Sequence, residues 1–171
     1  MKKRFILVLV LMVFIQFSAC EKDDICVDGD TPNLVIGFFD AIDTAEAKTV
    51  TLLRIKETSL DTTLGTGDFD RTSTNDSIGV PLRTNEDDIT FAVITDSADG
   101  DTEDEETGNI DTLRITYNPR EEFISRACGF VVRYDNIAIE LTTDDDNWIQ
   151  DINVVQTNIE NESNIHVKIF H

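Results

Sequence analysis

Three cysteines, two histidines and 34 acidic side chains hold most of the chemistry open to this chain of 171 residues. The histidines are His166 and His171. If their segment is a strand, their spacing puts them on opposite faces, which argues against a shared metal ion or a catalytic pair. Serine and aspartate are plentiful, but nucleophilic catalysis needs a positioned base beside them. The acids are densest at 96–106, DSADGDTEDEE, with seven carboxylates in eleven positions. Asp99, Asp101 and Glu103 could line a calcium loop. An EF-hand, however, needs Gly sixth and Glu twelfth. Counted from Asp99, those places hold Asp104 and Ile110. A solvated loop is expected there instead, and another acidic turn at Asp144, Asp145 and Asp146. Abundant acids alone do not define a glycosidase pair. The chain is therefore expected to be no enzyme, with no catalytic residues, no metal and no cofactor. Lys plus Arg number 14, so the net charge is −20. Such a polyanion repels phosphate backbones, which excludes nucleic acid as a partner.

The N-terminus explains one of the cysteines. Lys2, Lys3 and Arg4 precede an unbroken run of eleven apolar residues, Phe5 to Ile15. That run is too short for a hydrocarbon core of ~30 Å and has the length of a signal-peptide core. Ser18 and Ala19 then lead to Cys20. The arrangement resembles the lipobox of bacterial lipoproteins, with Phe17 where Leu is usual. The resemblance implies cleavage before Cys20 and a diacylglyceryl group on its thiol. Residues 1–19 are then a signal peptide, and the loss of three cationic residues takes the net charge from −20 to −23. Such a charge holds the protein off an anionic lipid surface. Behind the anchor, Cys20-Glu21 is followed by Lys22, Asp23 and Asp24. This resembles the surface-export signal of Bacteroidota lipoproteins, and implies an outer-membrane anchor with the domain facing outward.

Cys26 and Cys128 remain as an even pair. The compartment beyond the inner membrane is oxidising, so a disulfide is expected between them. Two free thiols, with Cys128 a small buried apolar residue, are the alternative.

The elements that must position these residues read as strands. Residues 20–32 form a lipidated, polar tether and 33–171 a single domain. Apolar segments with strand character fall at 33–40, 48–55, 78–82, 89–95, 111–117, 123–134, 137–142, 148–159 and 165–170. Pro81 marks 78–82 as an edge strand. Asn118-Pro119 and Asp135-Asn136 are expected as turns, and 57–77 as a long loop or frayed edge hairpin. Trp148, Ile152, Val155 and Ile159 fall at helical spacing, but β-branched, Asn and Thr content favours a strand. The expected fold is all-β: a β-sandwich-like or partly open barrel domain of about nine short antiparallel strands.

The mature chain is similar to a family of small flavobacterial lipoproteins that carries a domain-of-unknown-function label. The similarity rests on Cys20-Glu-Lys-Asp-Asp-Ile-Cys26, on Arg126-Ala-Cys-Gly-Phe130, and on the stretches around Asn161-Glu162 and His166-Val-Lys-Ile-Phe170. It implies a lipoprotein and no activity. Triplets such as Asp61-Thr62-Thr63, Asp76-Ser77-Ile78 and Asp96-Ser97-Ala98 resemble O-glycosylation acceptors of exported Bacteroidota proteins; Thr62, Ser77 and Ser97 are favoured because loops are exposed. The expected role is a non-catalytic binding or accessory module of the cell envelope. It would meet the membrane through its lipid and other envelope proteins or glycans through its surface. A glycan-binding domain, with Trp148, Tyr117 and Tyr134 as a stacking platform, is the alternative; a hydrolase is the third reading.

Overall fold

The computed structural model describes residues 26, 29–58, 62–63, 76–100 and 106–171. Residues 1–25, with the signal peptide, Cys20, Lys22, Asp23 and Asp24, lie outside the described residues, as do Asp101 and Glu103.

Two sheets pack face to face as a sandwich, and among the described residues there is no helix and no closed barrel. The first sheet contains β1 (Leu34–Phe39), β4 (Ser77–Val80), β8 (Asp151–Val154) and β9 (Val167–Phe170), in the order β4-β1-β9-β8. The second contains β2 (Arg54–Glu57), β3 (Thr62–Thr63), β5 (Asp88–Asp99), β6 (Glu106–Ser125) and β7 (Gly129–Leu141), in the order β3-β2-β5-β6-β7. Eight of these strands are four residues or longer; β3 is a two-residue rung on β2. Alternation places Leu34, Ile36 and Phe38 of one sheet and Phe91, Leu113 and Ile115 of the other in a shared buried core.

The expected antiparallel arrangement needs one correction. β1 and β9 pair in parallel, from Ile36↔Val167 to Phe39↔Phe170. Parallel neighbours need a long crossover. Here the connection includes the entire second sheet, which is why no local signal marks it.

Both expected interior turns are strand. Pro119 sits within β6 opposite Tyr134. The N–H and C=O of Tyr134 bond to Ile159 on the far side, so Pro119 is not asked to donate across this rung. Its ring faces the side from which β5 has already departed, because β5–β6 pairing begins at Asp88↔Thr116. Asp135-Asn136 is a β-bulge: the register shifts between Thr116 and Asn118, and Asn136 takes φ 57°. Conversely, the apolar stretch 123–134 is not one strand. It folds back through Arg126, Ala127 and Cys128, with Ser125 opposite Gly129. Gly129 at φ +73° supplies the left-handed residue that ends such a three-residue loop.

The segment 48–55 is strand only from Arg54. Leu52 has φ 46°, and the carbonyls of Thr51 and Leu52 accept from Asp96 N and Ser97 N. Pro81 follows the edge strand β4, as expected. The 148–159 segment contains no helix, and its strand is confined to β8.

Candidate functional site

The two cysteines at the start of the domain and at the β6–β7 turn define one end of the molecule. Cys26 and Cys128 are disulfide-linked, with Cα atoms 4.9 Å apart. Gly29 makes this possible, because a Cβ there would overlap Cys26 Sγ and lie 3.1 Å from Cys128 Sγ. Ser125 Oγ accepts from Cys128 N at 3.1 Å and shapes the turn. Thr31 Oγ1 accepts from Val132 N at 3.1 Å. Cys26 and Thr31 are thereby both fastened to the β6–β7 hairpin.

Beside the bridge stand two phenylalanines. Phe123 and Phe130 face each other across the β6–β7 ladder, with centroids 5.3 Å apart and planes at 62°. They are 56% and 67% exposed. On the same hairpin, Val131 is buried. The pair was not singled out in the sequence, because 123–134 reads as a buried strand until Cys128 is seen to occupy a turn.

Next to this end lies an open, polar cleft of about 610 Å³, lined by Asp30, Pro32, Glu122, Arg133, Glu160 and Glu162 among others. Of its four carboxylates, Glu122 and Glu160 are paired with arginines. Arg133 Nε stands 3.5 Å from Glu122 Oε2 and 3.8 Å from Glu160 Oε2, and its guanidinium also donates to the Glu160 carbonyl. Arg120 bonds Asp135 at 3.0 Å and Glu160 at 2.9 Å. The hydrogen bond to Asp135, followed by the attraction of that carboxylate and of Glu160 and Glu122, holds Arg120 charged more firmly than a free guanidinium. Glu162 Oε1 accepts from Asn33 N at 2.7 Å. The arrangement braces the 160–162 segment against the hairpin.

The histidines have separate structural partners. His166 is buried, its Nδ1 accepting from Val35 N at 2.9 Å and its Nε2 facing the Asn161 carbonyl at 2.9 Å. This fixes the neutral ring with its proton on Nε2. Burial lowers its pKa, against a smaller opposing effect of Asn161 and Glu162. His171 packs edge-on against Trp148 and Phe38.

The stacking platform expected of Trp148, Tyr117 and Tyr134 does not exist. Tyr117 and Tyr134 are buried against each other, with centroids 5.3 Å apart. Their hydroxyls serve the loop after β4: Tyr134 Oη donates to the Leu82 carbonyl at 3.0 Å, and Tyr117 Oη accepts from Arg83 N at 3.0 Å. Burial pushes the Tyr117 pKa up to about 12. Trp148 is half-buried and donates to the Val93 carbonyl at 3.2 Å.

Ser97 is also not exposed as supposed. Asp96 at φ 53° begins a bulge that turns Ser97 inward, to 1% exposure. Ser77 is half-buried in β4, and the side chain of Thr62 lies outside the described residues. A structural role missed in the sequence is that of Asp111. It is fully buried and accepts from Asn147 Nδ2 at 3.0 Å and Ile149 N at 2.8 Å, closing the 142–149 turn.

Among the described residues, no group of three or more His, Cys, Asp or Glu side chains is placed to hold a metal, and no helix is long and apolar enough to cross a membrane. No curated protein and no solved structure matches the chain. Residues 52–171 match a family of unknown function (DUF6452), a span that takes in Cys128 but starts after β1 and Cys26. By that match the chain belongs to the DUF6452 family.

Proposed function

We propose that this protein is an outer-membrane lipoprotein, anchored through Cys20, whose sandwich serves as a non-catalytic binding or accessory module facing outward from the cell. The observation that carries the reading is the pairing of Cys26 with Cys128. It uses two of three cysteines and leaves Cys20 as the odd one, directly behind a cationic and apolar leader. A disulfide of this kind suits an oxidising compartment. Glu122 and Glu160 at the cleft are already paired with Arg120 and Arg133, which favours a binding surface over an acid–base centre there. The glycan-binding alternative has lost its expected platform, and the two exposed phenylalanines stand edge to face rather than as a flat row.

The outward orientation rests on Lys22, Asp23 and Asp24, a charged signal that export machinery can hold through opposite charges. Changing all three to Ala is expected to keep lipidation but strand the domain on the periplasmic face. External protease on intact cells then removes the wild-type domain and spares the variant. A wild-type domain protected in intact cells, and digested only once the outer membrane is opened, places its partners in the periplasm and contradicts surface display.

A further inference from the structure

The exposed phenylalanine pair lies at a particular place in the chain. The disulfide ties the β6–β7 turn to Cys26. Only five residues lie between Cys20 and Cys26, a reach of at most about 20 Å. On the lipid-anchor reading of Cys20, on which this inference rests, the hairpin tip is therefore confined to the layer next to the lipid headgroups. Among the described residues, Phe123 and Phe130 are the large exposed aromatics, and they stand on this tethered tip.

Charge points the same way. Residues 123–134 form the longest stretch without a carboxylate outside residues 1–20, and they include Arg126 and Arg133. Arg133 is already paired with Glu122 and Glu160, so exposed Arg126 is the charge the tip offers, and the tip adds no carboxylate to a mature chain of net charge −23. The hairpin also extends past the sheet. β5 pairs with β6 only as far as Thr116, while β6 continues to Ser125 with β7 as its ladder partner. A lipid anchor on one flexible residue tethers but does not orient, and a second contact beside it gives a fixed pose. Aromatic side chains suit that boundary, where an apolar ring leaves water without entering the hydrocarbon centre.

We propose that Phe123 and Phe130 at the β6–β7 tip dip into the lipid interface beside the anchor, so that the sandwich stands on the membrane by this end. The occupant of the exposed pair is the bilayer, not a second protein or a glycan.

The test uses the full lipidated protein in vesicles of phosphatidylethanolamine and phosphatidylglycerol, with and without brominated acyl chains. In a Trp148→Phe background, Phe130→Trp places the sole indole at the tip. Ile42→Trp places it in the turn after β1, at the far end of that strand from Thr31 and its bond to β7. Because interfacial side chains sit ~5–10 Å into the headgroup boundary, bromine is expected to reduce emission from position 130 by about half or more, and to leave position 42 unchanged. Acylated, vesicle-bound protein in which position 130 is quenched no more than position 42 overturns this inference alone. A mass spectrum without acyl groups on Cys20 overturns it together with the anchor.

Discussion

One hairpin of this protein carries two aromatic pairs with the same ring separation and opposite fates. Tyr117 and Tyr134 are 5.3 Å apart and sealed in the core; Phe123 and Phe130 are 5.3 Å apart and stand in water. Polarity alone would assign them the other way round. The tyrosines are inside because the opposed sheet covers that part of the ladder and because each hydroxyl finds a backbone partner in the loop at Leu82 and Arg83. The phenylalanines are outside because the ladder outruns β5. Position along the hairpin, not residue type, sets burial. An exposed apolar pair in so acidic a chain is then a feature that stability does not explain.

The contrast can be broken most directly at its buried end. Tyr134→Ala is expected to cost about 3–5 kcal/mol, as for large core truncations. Phe130→Ala is expected to stay within about 0.5 kcal/mol. Urea denaturation of both variants measures this, and equal losses would make the tip structural.

The bridge at the exposed end comes next. Replacing Cys26 and Cys128 together by Ser is expected to cost about 2–5 kcal/mol, because the bond closes a loop across 102 residues. Gly29→Ala should impair the same bond, read as free thiol in the purified protein, since the added carbon meets Cys26 Sγ. A fully oxidised Gly29→Ala protein of unchanged melting temperature would contradict the crowding argument.

A smaller effect separates the tyrosine ring from its hydroxyl. Tyr134→Phe leaves the Leu82 carbonyl without its buried donor and should cost about 1–3 kcal/mol. In the phenylalanine pair there is no such polar partner to lose.

Acid should weaken the buried side of the contrast. Burial lowers the pKa of His166 in the folded protein from 6.5, and His171 shifts the same way for the same main cause. The unfolded chain therefore takes up protons first. Their contribution is intact above about pH 6.5 and is lost as pH falls below that value toward the lower folded pKa. Protonated His166 can no longer accept from Val35 N, so β1 loses a fastening. Denaturation midpoints are expected to decline below this pH, and less steeply in His166→Gln. A midpoint as steep in the variant as in the wild type would remove His166 from the account.

Where the sequence was informative, it was so through local chemistry. Alternation along 89–95 and 165–170 marked core strands, Pro81 marked an edge, and the odd cysteine count isolated the bonded pair. Where the expectation failed, the cause was non-local. Pro119 is tolerated because a neighbouring strand has ended and its own rung needs no donor, which no nearby residue announces. Asn136 tolerates the left-handed backbone of a bulge as readily as that of a turn. The stretch 123–134 looks like a core strand because it is rich in apolar residues; only the disulfide partner, a hundred residues earlier, and Gly129 show it to be a hairpin tip. Asp111 reads as a polar strand residue and becomes a buried brace only when the 142–149 turn folds over it.

The account depends most on what each cysteine carries. Non-reducing peptide mapping by mass spectrometry, on protein taken from the membrane of its own host, reads all three at once. It predicts an N-terminal peptide beginning at Cys20 with acyl and diacylglyceryl mass, joined through Cys26 to the peptide that contains Cys128. An unmodified Cys20 contradicts the anchor, and Cys26 and Cys128 recovered as free thiols contradict the bridge that holds the phenylalanine tip beside it.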